Sequence, residues 1–120
     1  MAITWTLQGA LKRSTDTDRP KNIRDLNVSI STEEEASFTW RIPTGTVDEQ
    51  FDFGLVQDAQ MVALFSDETV SAKLSPGGDP IDFEGALIIM GSALNELYLS
   101  NSSGETATVS AFIGGAVVTL

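Results

Sequence analysis

Apolar residues recur at every second position along most of this chain. Ile3, Trp5 and Leu7 form one row. Leu26, Val28 and Ile30 form another, with Asn27, Ser29 and Ser31 on the opposite side. Phe38, Trp40 and Ile42 make a third row, and Phe51, Phe53 and Leu55 a fourth. Val62, Leu64 and the neighbouring Phe65 suggest a fifth strand, and Val70, Ala72 and Leu74 a sixth. Ala86 to Met90, Leu97 with Leu99, and Val109 with Ala111 and Ile113 follow; Ala116 to Leu120 reads as a closing strand. A period of two belongs to a strand that buries one face. Eight to ten such strands in 120 residues predict an all-β fold, an antiparallel β-sandwich of jelly-roll or immunoglobulin-like order.

The punctuation agrees with that reading. Ser31 to Glu35 is a polar connector, and Pro43-Thr44-Gly45 breaks the chain after the third row. Ser75-Pro76-Gly77-Gly78-Asp79-Pro80 stacks turn formers and must be a loop. Asn101-Ser102-Ser103-Gly104 reads as a hairpin turn, with glycine supplying positive φ. Leu87, Met90, Leu94 and Leu97 also fit helical spacing, but Gly91 and Ser92 interrupt them and favour two strands. Lys12 to Asn22 is the longest stretch without apolar periodicity, the mark of a loop or arm. Residues 1–120 are expected to form a single sandwich domain, with 12–24 as its basic loop or arm.

Composition restricts the chemistry. The chain has no histidine and no cysteine, so it lacks the usual base near neutral pH, the usual transition-metal ligands and the best nucleophile. Its twenty-four serines and threonines have no imidazole to activate them. Charge is unevenly placed. Residues 1–24 carry five bases against two acids, and residues 25–120 carry two bases against fifteen acids. An acidic body repels nucleic acid and anionic membranes, so neither is expected as a partner. The longest apolar stretches, Gly85 to Met90 and Ala111 to Leu120, fall well short of the roughly 20 residues of a membrane helix. The start of the chain has no basic segment followed by an apolar one, so Sec export is not expected.

Carboxylates remain as possible reactive groups. Asp52 with Asp48 or Glu49, or Asp82 with Glu84, could in principle act as a glycosidase pair. Asp16-Thr17-Asp18, or Asp79 with Asp82, could hold calcium, but the offsets of an EF-hand loop are missing. Gly77-Gly78 and Gly114-Gly115 lack the Lys-Ser/Thr of a phosphate loop. Asn27-Val28-Ser29 and Asn101-Ser102-Ser103 match the glycosylation sequon, a match of little weight without export. Trp5, Phe38, Trp40, Phe51, Phe53, Phe65, Phe83 and Phe112 mostly sit at alternating positions and read as core. No enzyme activity and no cofactor are expected.

The last third carries a family resemblance. A strand ends at Leu74 and is followed by Pro76-Gly77-Gly78-Asp79, then Phe83-Glu84-Gly85-Ala86-Leu87-Ile88-Ile89-Met90-Gly91. Leu97-Tyr98-Leu99-Ser100-Asn101-Ser102-Ser103-Gly104 comes next, then Thr106-Ala107-Thr108-Val109 and an apolar end. This pattern over residues 70–120 resembles the small β-sandwich virion proteins of tailed bacteriophages, of the capsid decoration, cement or head-fibre type. The resemblance implies a non-enzymatic structural protein, made in the host cytoplasm and carried on the virion. It would bind a major capsid protein or another virion protein and associate with itself, as a trimer. A carbohydrate- or receptor-binding module of a phage tail or fibre is the alternative.

Two groups of residues are the candidate contacts. The basic segment offers Lys12, Arg13, Arg19, Lys21 and Arg24 to an acidic partner. The C-terminal row offers Phe112, Ile113, Val117, Val118 and Leu120 to a symmetry mate, because a segment apolar on both sides aggregates when exposed.

Overall fold

The computed structural model describes residues 2–13 and 21–117. The described residues form eight strands and no helix: β1 (Ile3–Arg13), β2 (Lys21–Thr32), β3 (Glu34–Ile42), β4 (Thr46–Gln50), β5 (Val56–Lys73), β6 (Ile81–Leu94), β7 (Tyr98–Asn101) and β8 (Ala107–Val117). Every pairing is antiparallel. The result is an all-β, sandwich-like molecule with curled antiparallel sheets.

Two long strands make the sandwich by bending. β5 pairs with β6 along one edge, from Ala59↔Leu94 to Ala72↔Ile81. Its other edge changes neighbour. Val56 to Ser66 pair with β8, and Ser71 to Lys73 pair with β7. The change falls at an irregularity between Ser66 and Val70, where the Ser66 hydroxyl donates to the Glu68 carbonyl. On β6 the partner position is Gly85, at φ +92, a conformation that a side chain would strain. Bulges with glycine bend a strand from one sheet into another. One half of the sandwich is therefore β3-β8-β5-β6, and the other is β6-β5-β7-β4.

The core lies between the halves. β8 contributes Ala107, Val109, Ala111 and Ile113, β5 contributes Val62, Leu64, Val70 and Ala72, and β7 contributes Leu99. Ile42, Phe53, Val56, Phe83 and Leu97 complete it. Phe38, Trp40 and Phe51 line one side, with ring centroids 5.4 and 4.5 Å apart in sequence along the series. Asn101 is the fully buried polar side chain of this core. Its Nδ2 donates to the carbonyls of Ile42 (2.8 Å) and Glu105 (2.7 Å), and its Oδ1 accepts from the Ser103 amide (2.9 Å). These bonds close the Asn101–Gly104 turn and tie it to the end of β3.

The outcome corrects four sequence expectations. Phe51, Phe53 and Leu55 do not lie in a strand; the strand is β4, just before them. Phe51 and Phe53 are pinned as a loop, Phe51 by its amide to the Leu97 carbonyl (2.9 Å) and Phe53 by burial. The fifth and sixth rows are one bent strand, β5. The closing strand is the end of β8 as far as Val117; residues 118–120 lie outside the described residues. The arm 12–24 is strand at both ends, with Lys12 opposite Asn22 and Arg13 opposite Lys21.

Candidate interaction surface

β1 and β2 form a separate two-stranded ribbon. Their odd–even alternation puts Ile3, Trp5, Leu7 and Leu11 on one face, opposite Thr32, Ile30, Val28 and Arg24. The base of that face sits on the outer side of β8, β5 and β6. Trp5 lies over Gly114, where a methyl group would overlap the indole and the Thr32 hydroxyl. The Trp5 Nε1 donates to Thr32 Oγ1 at 2.9 Å, which fixes the ring. Leu7 reaches over Met61, Ala63, Ile88 and Met90, leaving a cleft of about 140 Å³. The sequence signal for this extra layer is Ala59 to Phe65 and Ala86 to Met90, runs that are apolar with little alternation because both faces are covered.

Beyond Leu7 the ribbon leaves the sheet. Gln8 through Lys12 are exposed, as are Arg24, Asp25, Asn27 and Val28. The radius of gyration is 15.9 Å, against about 13.6 Å for a compact chain of this length. The accessible surface is 7575 Å², where about 6,300 Å² is usual at this mass.

Beside β1 the sheet floor is open. Phe65 is 43% and Phe112 41% exposed, and their rings meet edge to face at 6.1 Å. A cleft of about 390 Å³ separates Phe112 and Ser37 from Trp5, with Glu35 on its wall. Reading these two aromatics as core was wrong. Ala63 pairs with Phe112 and Phe65 with Ser110, which places both rings on the outer side of the sheet.

The candidate contacts divide accordingly. Lys12 and Arg24 stand exposed on the projecting ribbon. Arg13 and Lys21 belong to its strands, while Arg19 lies outside the described residues, with the side chains of Arg13 and Lys21. In the C-terminal row, Phe112 and Val117 are exposed. Ile113 is not available to a symmetry mate: it is fully buried, because alternation turns it into the chain's own core. Val118 and Leu120 lie outside the described residues.

The carboxylates are engaged on the opposite face. The Ser71 hydroxyl donates to Asp82, and Thr69 Oγ1 donates to Glu84 Oε1 at 3.1 Å. Asp48, at φ +46, accepts from Lys73 Nζ (3.1 Å) and Ser100 Oγ (3.1 Å), while its amide donates to Ser100 Oγ (2.8 Å). The Lys73 ammonium is the main cause that holds the Asp48 carboxyl below its ordinary value. Glu49, Asp52 and Asp79 are exposed, and Asp16-Thr17-Asp18 lies outside the described residues. Among the described residues no three carboxylates gather in a cation-holding group. The Asn101 sequon is closed by the amide's own bonds, whereas Asn27 is exposed on β2.

No protein-family model matches the chain, and no curated protein or solved structure is significantly similar to it.

Proposed function

We propose that this chain is a non-enzymatic assembly protein that attaches to a larger protein surface, in the manner of a capsid decoration or cement protein of a tailed phage. The observation that carries the reading is the projecting ribbon. A 12.8 kDa chain commits two of its eight described strands to an arm whose far end stands exposed. The end of that arm is basic, while residues 33–120 behind it carry fourteen acids against two bases. Such asymmetry steers and registers protein–protein contact more than it adds raw affinity. The partner is accordingly an acidic protein surface, such as that of a capsid shell.

The test replaces Lys12, Arg13, Arg19, Lys21 and Arg24 together by serine and measures occupancy on capsids that lack the chain. Occupancy should fall roughly tenfold or more at physiological salt, with a weaker dependence on salt than the unaltered protein shows. Occupancy that is unchanged would remove the arm from the contact.

A further inference from the structure

Among the described residues, the free strands differ in how they are guarded against an added strand. β3 carries Glu34, Glu35 and Arg41 and stops at Pro43. β4 is five residues long, carries two acids and is interrupted by a bulge. β6 carries Asp82 and Glu84 and is kinked at Gly85 and Gly91, both at positive φ. β2 carries Arg24 and Asp25. Short length, charge, proline and bulges are the usual guards against an added strand. β1 has none of them from Ile3 to Leu11: nine residues, Ile-Thr-Trp-Thr-Leu-Gln-Gly-Ala-Leu, without a charge or a proline. Among the described residues it pairs with β2 alone.

That unguarded edge runs beside the open aromatic floor. Trp5 and Leu7 of β1 border the clefts that contain Phe112 and Phe65. Ser31 and Thr32 of β2 border the opposite side of the ribbon, next to Gly115 and Ala116. A strand added to β1 would complete a backbone ladder and cover the two phenylalanines in the same movement.

We propose that this strand is β1 of a second copy, paired antiparallel about a two-fold axis near Leu7. Four observations on this chain favour a second copy. The large apolar residues of β1, Ile3, Trp5, Leu7 and Leu11, are all odd-numbered, so an antiparallel register centred on Leu7 sets Ile3 against Leu11 and Trp5 against Gly9, with both apolar faces turned to the same side. Gly9 has no atom within 4 Å of the space where a side chain would stand, which leaves room beside it for the indole. The register also carries Leu11, 56% exposed in one chain, towards the floor of the other. Lys12 of the second copy then approaches Glu33, Glu34 and Glu35, so charge matches where apolar surface ends. An isologous pair covers the β1 edge of both copies at once.

This pairing rests on the assembly reading above, but it is tested without any capsid. Sedimentation of the purified full chain should show a concentration-dependent dimer. Leu11→Glu, at an exposed site on the arm, should weaken that dimer roughly tenfold or more while leaving the monomer's melting temperature unchanged. Because the chain has no cysteine, Leu7→Cys should form an intermolecular disulfide under mild oxidation, and Ser102→Cys, on an exposed turn far from β1, should not. A monomer at every concentration, a trimer, or a dimer indifferent to Leu11→Glu would each overturn the pairing. A monomer that still occupied capsids would leave the assembly reading standing and remove only the β1 contact.

Discussion

The two outer faces of the sandwich are built from the same pair of strands and have opposite chemistry. On β5 the outward row reads Met61, Ala63 and Phe65 before the bend, then Thr69, Ser71 and Lys73 after it. On β6 it reads Met90, Ile88 and Ala86 on the first face, then Glu84 and Asp82 on the second. One face is apolar and partly roofed by the β1–β2 ribbon. The other is a lattice of hydroxyl–carboxylate bonds open to water. A face that only had to meet water would be built like the second. The first is built to be covered, and the ribbon covers only the part nearest Gly114.

Substitutions on either side of the same strand should separate core from cover. Leu64→Ala, at a fully buried position, should cost roughly 2–5 kcal/mol in urea unfolding. Phe65→Ser, its exposed neighbour, should leave monomer stability within about 1 kcal/mol and act on association instead. Similar losses from both would erase the distinction between the faces.

Next in size is the seat of the ribbon. Gly114→Val should displace the Trp5 indole and cost roughly 1–3 kcal/mol by overpacking. In a Trp40→Phe background, Trp5 fluorescence should shift to the red while the β-sheet circular dichroism of the body persists. An unshifted spectrum would mean that the ribbon does not rest there.

Asn101→Ala should cost roughly 1–3 kcal/mol, because the Ile42 carbonyl loses its buried donor and the turn loses its Asx bond. This loss belongs to the core and should leave association unaltered in the folded protein. The smallest effect lies on the polar face. The lowered Asp48 carboxyl favours the folded state when ionised, so its contribution is present above the ordinary aspartate value of about 3.9 and fades as pH falls through the lowered folded value. Urea midpoints should therefore drop with acid more steeply in the unaltered protein than in Lys73→Met. Parallel curves would show that the ion pair is without effect on folding.

Period-two patterning exposed the strand-rich architecture and the first three rows, and the turn formers marked breaks at Pro43 and Asn101; the Asn101–Gly104 turn is not the hairpin expected, because β7 and β8 each pair with β5 and not with each other. It could not show that Phe51 and Phe53 are buried from a loop, because a loop pinned against the core also places alternate residues inside. Nor could it find β4, Thr-Val-Asp-Glu-Gln, a polar edge with no apolar row. The same limit applies to the surface. Phe112 and Ile113 are adjacent and both apolar, and only the pairing with β5 shows which one the core takes. The bend at Gly85, which turns one pair of strands into two unlike faces, left only a glycine between acidic and aliphatic residues as its trace.

Hydrogen–deuterium exchange of the β1 amides, followed as protein concentration rises, addresses the unguarded edge most directly. Protection from Ile3 to Leu11 should increase together with the dimer fraction, while the amides of β3 and β4 stay as they were. β1 amides that exchange at one rate across the whole concentration range would contradict it.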